Sequence, residues 1–146
     1  TMKKSKLLML LMILITISSC DHKPIDKQEA DNIVTQYVKK NYKSNDNTLR
    51  AVWYLNRLGE ERIEISFAIE GEESITAENA YVYYIDENVD IGDVMPHTFK
   101  IMVVQKDNGK YTIHQRMWRP YIPTLSQLES YWTILFFFEN NKSWAP

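Results

Sequence analysis

Between Leu49 and Trp118 several stretches alternate apolar and polar side chains or are rich in strand-forming residues, a pattern that points to antiparallel sheet. Leu49, Ala51, Trp53 and Leu55 form one such set. In Arg62 to Glu70, Ile63, Ile65, Phe67 and Ile69 share one face, with Arg62, Glu64, Ser66 and Glu70 on the other. Tyr81 to Ile85 is a third strand-forming stretch. Thr98 to Lys106 and Tyr111 to Trp118 flank Asp107-Asn108-Gly109, a strong hairpin signal. The glycines Gly59, Gly71, Gly92 and Gly109 all fall between these stretches, where turns need unusual backbone angles. They are not clustered before a helix, as a phosphate cradle requires.

The flanking segments have a different period. From Asp26 to Tyr42, Ala30, Ile33, Val34, Tyr37, Val38 and Tyr42 repeat at spacings of mostly three to four, which predicts an amphipathic helix. Asp26 is its N-cap and Glu29 completes a capping box. After Pro120, Leu125, Leu128, Trp132 and Leu135 have helical spacing, so a short C-terminal helix is expected. The dense run Ile134 to Phe138 either continues that helix or ends as a strand. Phe136, Phe137 and Phe138 cannot share one helical face, so at least one ring is expected at the surface. The expected fold is therefore α+β: an N-terminal helix packed on a curved antiparallel sheet of about five strands.

A chain of 146 residues, 45% of them apolar, suffices for one domain with a real core. Its single cysteine excludes an internal disulfide framework and a Cys-rich zinc site. That cysteine has a particular setting. Lys3, Lys4 and Lys6 precede an apolar run, Leu7 to Ile15, about half the length needed to span a bilayer as a helix. The run ends in Ile17-Ser18-Ser19-Cys20, which resembles the lipobox of bacterial lipoproteins. The resemblance implies a signal peptide over residues 1–19, recognised by its peptidase through Ile17, Ser18 and Ser19, with acyl chains on Cys20. Residues 20–25 would then be a lipidated tether and 26–146 the single domain. It also implies a bacterial cell-envelope location, anchored to a membrane and facing away from the cytoplasm.

Removing the three leader lysines from the 17 basic residues leaves 14 against 19 acidic, a formal −5. That balance disfavours nucleic acid and anionic lipid as partners, so attachment must come from the acyl chains.

Motifs for catalysis are sparse. His22 lies in the tether, His97 beside Pro96 in a turn, and His114 on a polar strand face where solvation is expected. Neither H-E-x-x-H nor G-x-S-x-G occurs. Asp86, Asn88 and Asp90 alternate as calcium-loop ligands do. However, Ile91 stands where the loop needs glycine and His97 where it needs glutamate, so no metal and no cofactor is expected. Arg116, Trp118 and Arg119 mix cations with an indole, a composition typical of interface anchors; with Phe137 they are the candidate partner-binding residues.

One helix followed by a strand meander resembles the cystatin-like and NTF2-like folds of small bacterial lipoproteins. The residues point to a non-enzymatic, membrane-tethered module that binds a protein partner, of immunity or inhibitor type. The alternative is a small-ligand-binding or enzymatic NTF2-like domain. The cystatin inhibitor hairpin, Gln-x-Val-x-Gly, has its nearest match in Gln36 to Lys40, which lacks the glycine and lies on the helix.

Lipidation is directly testable. A palmitate analogue fed to cells should label the wild-type chain, and Cys20→Ala should lose both label and membrane retention. Unlabelled wild-type protein released into the medium would refute it.

Overall fold

The apolar stripe of the first helix is where the structure begins to build. The computed structural model describes residues 23–42, 47–56, 61–68, 71–123, 131–139 and 142–143. Helix α1 runs Lys27–Asn41 behind the Asp26 N-cap, whose carboxylate accepts from the Glu29 N–H at 2.8 Å while Glu29 accepts from the Asp26 N–H at 3.0 Å. Two orphan donors of the first turn are thus satisfied, as the capping-box pattern predicts. Ala30, Val34 and Val38, four residues apart, are buried.

Among the described residues nine strands follow: β1 (Arg50–Leu55), β2 (Arg62–Phe67), β3 (Ile75–Glu78), β4 (Ala80–Asp86), β5 (Phe99–Gln105), β6 (Tyr111–Arg116), β7 (Pro120–Tyr121), β8 (Trp132–Glu139) and β9 (Lys142–Ser143). A 3-10 segment, Val89–Val94, lies between β4 and β5. The strands form two sheets rather than the single one expected: a six-stranded sheet in the order β6-β5-β4-β1-β8-β9, and a three-stranded sheet in the order β3-β2-β7. After β1 the chain leaves the large sheet, builds the β2–β3 hairpin, and returns as β4.

This excursion has a physical cause. Val82, Tyr83, Tyr84 and Ile85 of β4 are all buried, as are Ile101, Met102, Val103 and Val104 of β5. Such strands are apolar on both faces and must be covered on both. Tyr83, Ile85, Met102 and Val104 pack with Ala30, Val34 and Val38 of α1. Val82, Tyr84, Ile101 and Val103 pack with Ile63, Ile65 and Phe67 of β2 and Ile75 and Ala77 of β3. The result is three layers: helix, large sheet, small sheet. In β2 and β3 buried and exposed positions mostly alternate, because only one of their faces meets the core.

The C-terminal expectation is corrected from Trp132 onward. Residues 132–139 are strand β8, paired with β1 from Arg50↔Phe138 to Leu55↔Trp132, whereas residues 124–130 lie outside the described set. Thr133, Ile134 and three phenylalanines favour a strand, and the β1 ladder satisfies their backbone groups. Val52 opposes Phe136 and Trp53 opposes Ile134, so Leu135 is an extra, bulged residue. The bulge reverses the parity of the strand. Trp132 faces the small sheet while Phe138 packs toward α1, which strict alternation would forbid. Phe136 and Phe137 are half-buried and Phe138 is buried; the exposed apolar residue here is Ile134.

Polar contacts hold both ends of α1 to the sheet. Near its start the buried Tyr83 hydroxyl donates to Asp31 Oδ1 at 2.7 Å, and Lys27 reaches Asp31 Oδ2 at 2.6 Å. At its end the Tyr42 hydroxyl donates to Glu87 Oε1 at 2.5 Å, and Lys100 bridges both, 2.7 Å from Glu87 and 3.1 Å from Tyr42.

Burial first, and the carboxylate acceptor second, push both phenols above their ordinary value of 10.0. In the unfolded chain they ionise near 10. Their contribution to stability is therefore complete below about pH 10 and declines as pH rises beyond it. Tyr83→Phe should lower stability by about 1–3 kcal/mol at pH 7, because Asp31 loses a donor. The same change should flatten the alkaline loss seen in denaturant titrations. A variant whose alkaline slope matches the wild type would contradict this account.

Candidate interaction surface

At the end of β4, Asp86 meets the segment that leads into β5. His97 Nε2 lies 2.8 Å from Asp86 Oδ1, and His97 Nδ1 lies 3.1 Å from the Met95 carbonyl oxygen. Both side chains are largely buried, 7% and 13% exposed, and the imidazole packs 4.3 Å from the Phe99 ring. Each ring nitrogen lies at hydrogen-bond distance from a protein oxygen, so the ring is held from both sides. Neither nitrogen is free to accept a proton from a substrate. The pair is therefore an anchor rather than a general base.

What it anchors is apolar and exposed. The His97 N–H donates to the Met117 carbonyl at 3.2 Å while its ring holds the Met95 carbonyl, so one buried residue fixes two neighbouring chain segments. Met95 is 62% exposed and Met117 45%. Met117 belongs to the short connection that carries the chain from β6 in the large sheet to β7 in the small one. Tyr121, on β7, is exposed as well.

The predicted anchors lie around this connection. The Arg116 guanidinium sits 5.2 Å from the Phe67 ring centre and donates to the Glu73 carbonyl at 3.2 Å. Glu72 accepts from the Met117 N–H at 3.1 Å. Arg119 lies 5.4 Å from the Trp53 ring and 6.0 Å from the Tyr84 ring, which stack on each other 5.6 Å apart. Trp118 is half-buried between the two arginines in sequence. Cations held over aromatic faces lose less freedom on meeting a partner.

Phe137 is not beside them. Register places Arg116, Phe99, Asp86, Ala51 and Phe137 in one cross-strand row. Four strand intervals separate its ends, about 19 Å.

The remaining candidates are accounted for individually. Asp86 Oδ1 accepts from the Asn88 N–H at 3.0 Å as well as facing His97, and Asp90 is exposed on the 3-10 segment. Among the described residues no group of three or more potential metal ligands forms. His114 is half-buried rather than solvated, its Nε2 3.3 Å from the Thr112 hydroxyl. Burial first, then the Arg116 charge, hold it below the ordinary imidazole range. Ile17, Ser18, Ser19, Cys20 and His22 lie outside the described residues.

Two recesses border α1. One, of 320 Å³, is lined by Ile33, Gln36, Tyr37, Lys40 and Tyr111 among others; a second, of 170 Å³, lies by Lys27, Tyr54 and Ile134. No protein family matches the chain, and neither a curated protein nor a solved structure shows a significant similarity to it.

Sequence reasoning placed His97 in a turn and missed its burial. The available signal was parity, since His97, Phe99 and Ile101 form one inward-facing series. The exposed methionines had no such signal.

His97→Ala should cost about 1–3 kcal/mol, because a mostly buried carboxylate loses one of its hydrogen-bond partners. Met117→Asp, on an exposed side chain, should change the melting midpoint little. Thermal melts of both variants distinguish anchor from surface; an unaltered midpoint for His97→Ala would remove the anchor from the argument.

Proposed function

We propose that this chain is a lipid-tethered, extracytoplasmic module that binds a protein partner through the Met95–Met117 surface, in the manner of an immunity or inhibitor protein. The carrying observation is the buried Asp86–His97 pair, whose histidine holds the backbone carbonyls of two methionines with exposed side chains. A buried polar pair contributes little net stability relative to apolar packing. Its position makes sense where a surface segment must be held in one shape. Methionine side chains adapt to a partner's contour, and the pre-ordered Arg116 and Arg119 add cations at the rim.

Membrane attachment is assigned to acyl chains on Cys20, after recognition of Ile17, Ser18 and Ser19, with the domain in the bacterial envelope outside the cytoplasm. Among the described residues no helix is long and apolar enough to cross a membrane. Nucleic acid is an unsuitable partner for a mature chain of formal charge −5. The reading requires no catalysis and no cofactor.

The finer fold assignment, cystatin-like or NTF2-like, rests on α1 followed by the β4–β5–β6 meander. The competing small-ligand reading needs a hollow between helix and sheet. Here Val34, Val38, Tyr83, Ile85 and Met102 fill the centre of that space, and the 320 Å³ recess between α1 and Tyr111 of β6 is an open one at the sheet edge, which favours the protein-binding reading.

A photo-reactive methionine analogue at position 117, used in intact cells, should crosslink a discrete protein. The adduct should disappear when Met95→Asp is added and be absent when the probe replaces Gln28 on the exposed face of α1. Equal adducts from positions 28 and 117 would refute the assigned surface.

A further inference from the structure

We infer that the β5–β6 hairpin end of the domain is the face held against the bilayer headgroups, and that the Met95–Met117 surface points away from the membrane. The inference rests on the lipid anchor at Cys20 and adds an orientation to it.

The exit point of the tether is fixed by contacts. The Ile25 N–H donates to the Lys106 carbonyl at 2.7 Å, and the Tyr81 hydroxyl donates to the Ile25 carbonyl at 3.4 Å. The hairpin turn packs on the same residue. A Cβ on Gly109 would lie 3.1 Å from Ile33 Cδ1, closer than packed carbons normally approach, and the φ of +69° favours glycine at this position. Asn79 braces the turn from the other side: its side-chain amide donates to Asp107 at 2.8 Å and its carbonyl accepts from the Lys106 N–H at 3.0 Å. The chain therefore leaves the fold beside a rigid hairpin end.

Lengths exclude the inverted orientation. From Cys20 to Ile25, where the chain is fixed, five fully extended residue steps reach roughly 17–18 Å. From Gln105 back to Phe99, β5 alone spans about 20 Å, and His97 lies two residues farther. The tether is too short to let the domain stand upright on its methionine end, because the exit point would then lie farther from the membrane than the chain can reach. At the near end, Lys106, Lys110 and the exposed Tyr111 offer ammonium groups and an amphipathic ring, chemistry suited to headgroups.

The full lipidated chain in phosphatidylcholine vesicles containing a headgroup-attached quencher tests this. Acylation consumes the Cys20 sulfur, so an added cysteine is the free thiol that takes a fluorophore. Lys110→Cys should be quenched several-fold more than Met95→Cys. Inserting twenty Gly/Ser residues between His22 and Lys23 should abolish the difference. Equal quenching with the natural tether, or stronger quenching at position 95, overturns the orientation while leaving the anchor intact. A chain that fails to float with vesicles overturns the anchor itself, and the orientation with it.

Discussion

Two-sided burial of β4 and β5 is the constraint on which the structure depends. Eight consecutive-in-space positions, Val82 to Ile85 and Ile101 to Val104, are shielded from water on both faces of the sheet. A helix alone covers one face. The β2–β3 hairpin, extended by β7, is the cover for the other, and it explains why β1 pairs with β4 rather than with its neighbour in sequence. At roughly 1.5–3 kcal/mol for each large side chain fully buried, these two strands contribute more than a small domain's whole net stability.

Apolar packing of this kind is permissive about angle and register, whereas the polar contacts are not. Asp31 and Glu87 each take a tyrosine hydroxyl and a lysine, one pair near each end of α1. Displacing the helix by a turn would leave a buried phenol without an acceptor, a large penalty in a low-dielectric setting. The β8 bulge makes a comparable choice for the C-terminal strand, directing Trp132 into one core and Phe138 into the other.

The same economy of fixed points governs the two ends of the large sheet. At one end Ile25 enters the fold beside Gly109 and Asn79. The other carries Met95 and Met117 on a frame held by Asp86 and His97. The proposed tether and the proposed partner-binding surface thus fall at opposite ends of the sheet.

Much of the local structure was legible in the sequence. The period of α1, its capping box, the alternation in β2 and the Asp107-Asn108-Gly109 turn depend on neighbours within a few residues, and each is observed. Segment β1 is a strand as expected but is covered on both faces, so its burial does not alternate. The C-terminal strand was not decided locally: Trp132 and Leu135 fit a helical stripe equally well, and pairing with β1, about eighty residues earlier, chose the strand. The division into two sheets, the burial of His97 and the juxtaposition of Met95 with Met117 likewise arise from contacts between distant segments. Sequence by itself determined the periods of the elements and the place of the lone cysteine, because those follow from side-chain alternation and spacing. Tertiary structure alone decided which faces meet and which polar groups share a buried site, because desolvation acts on positions in space and not on neighbours in the chain.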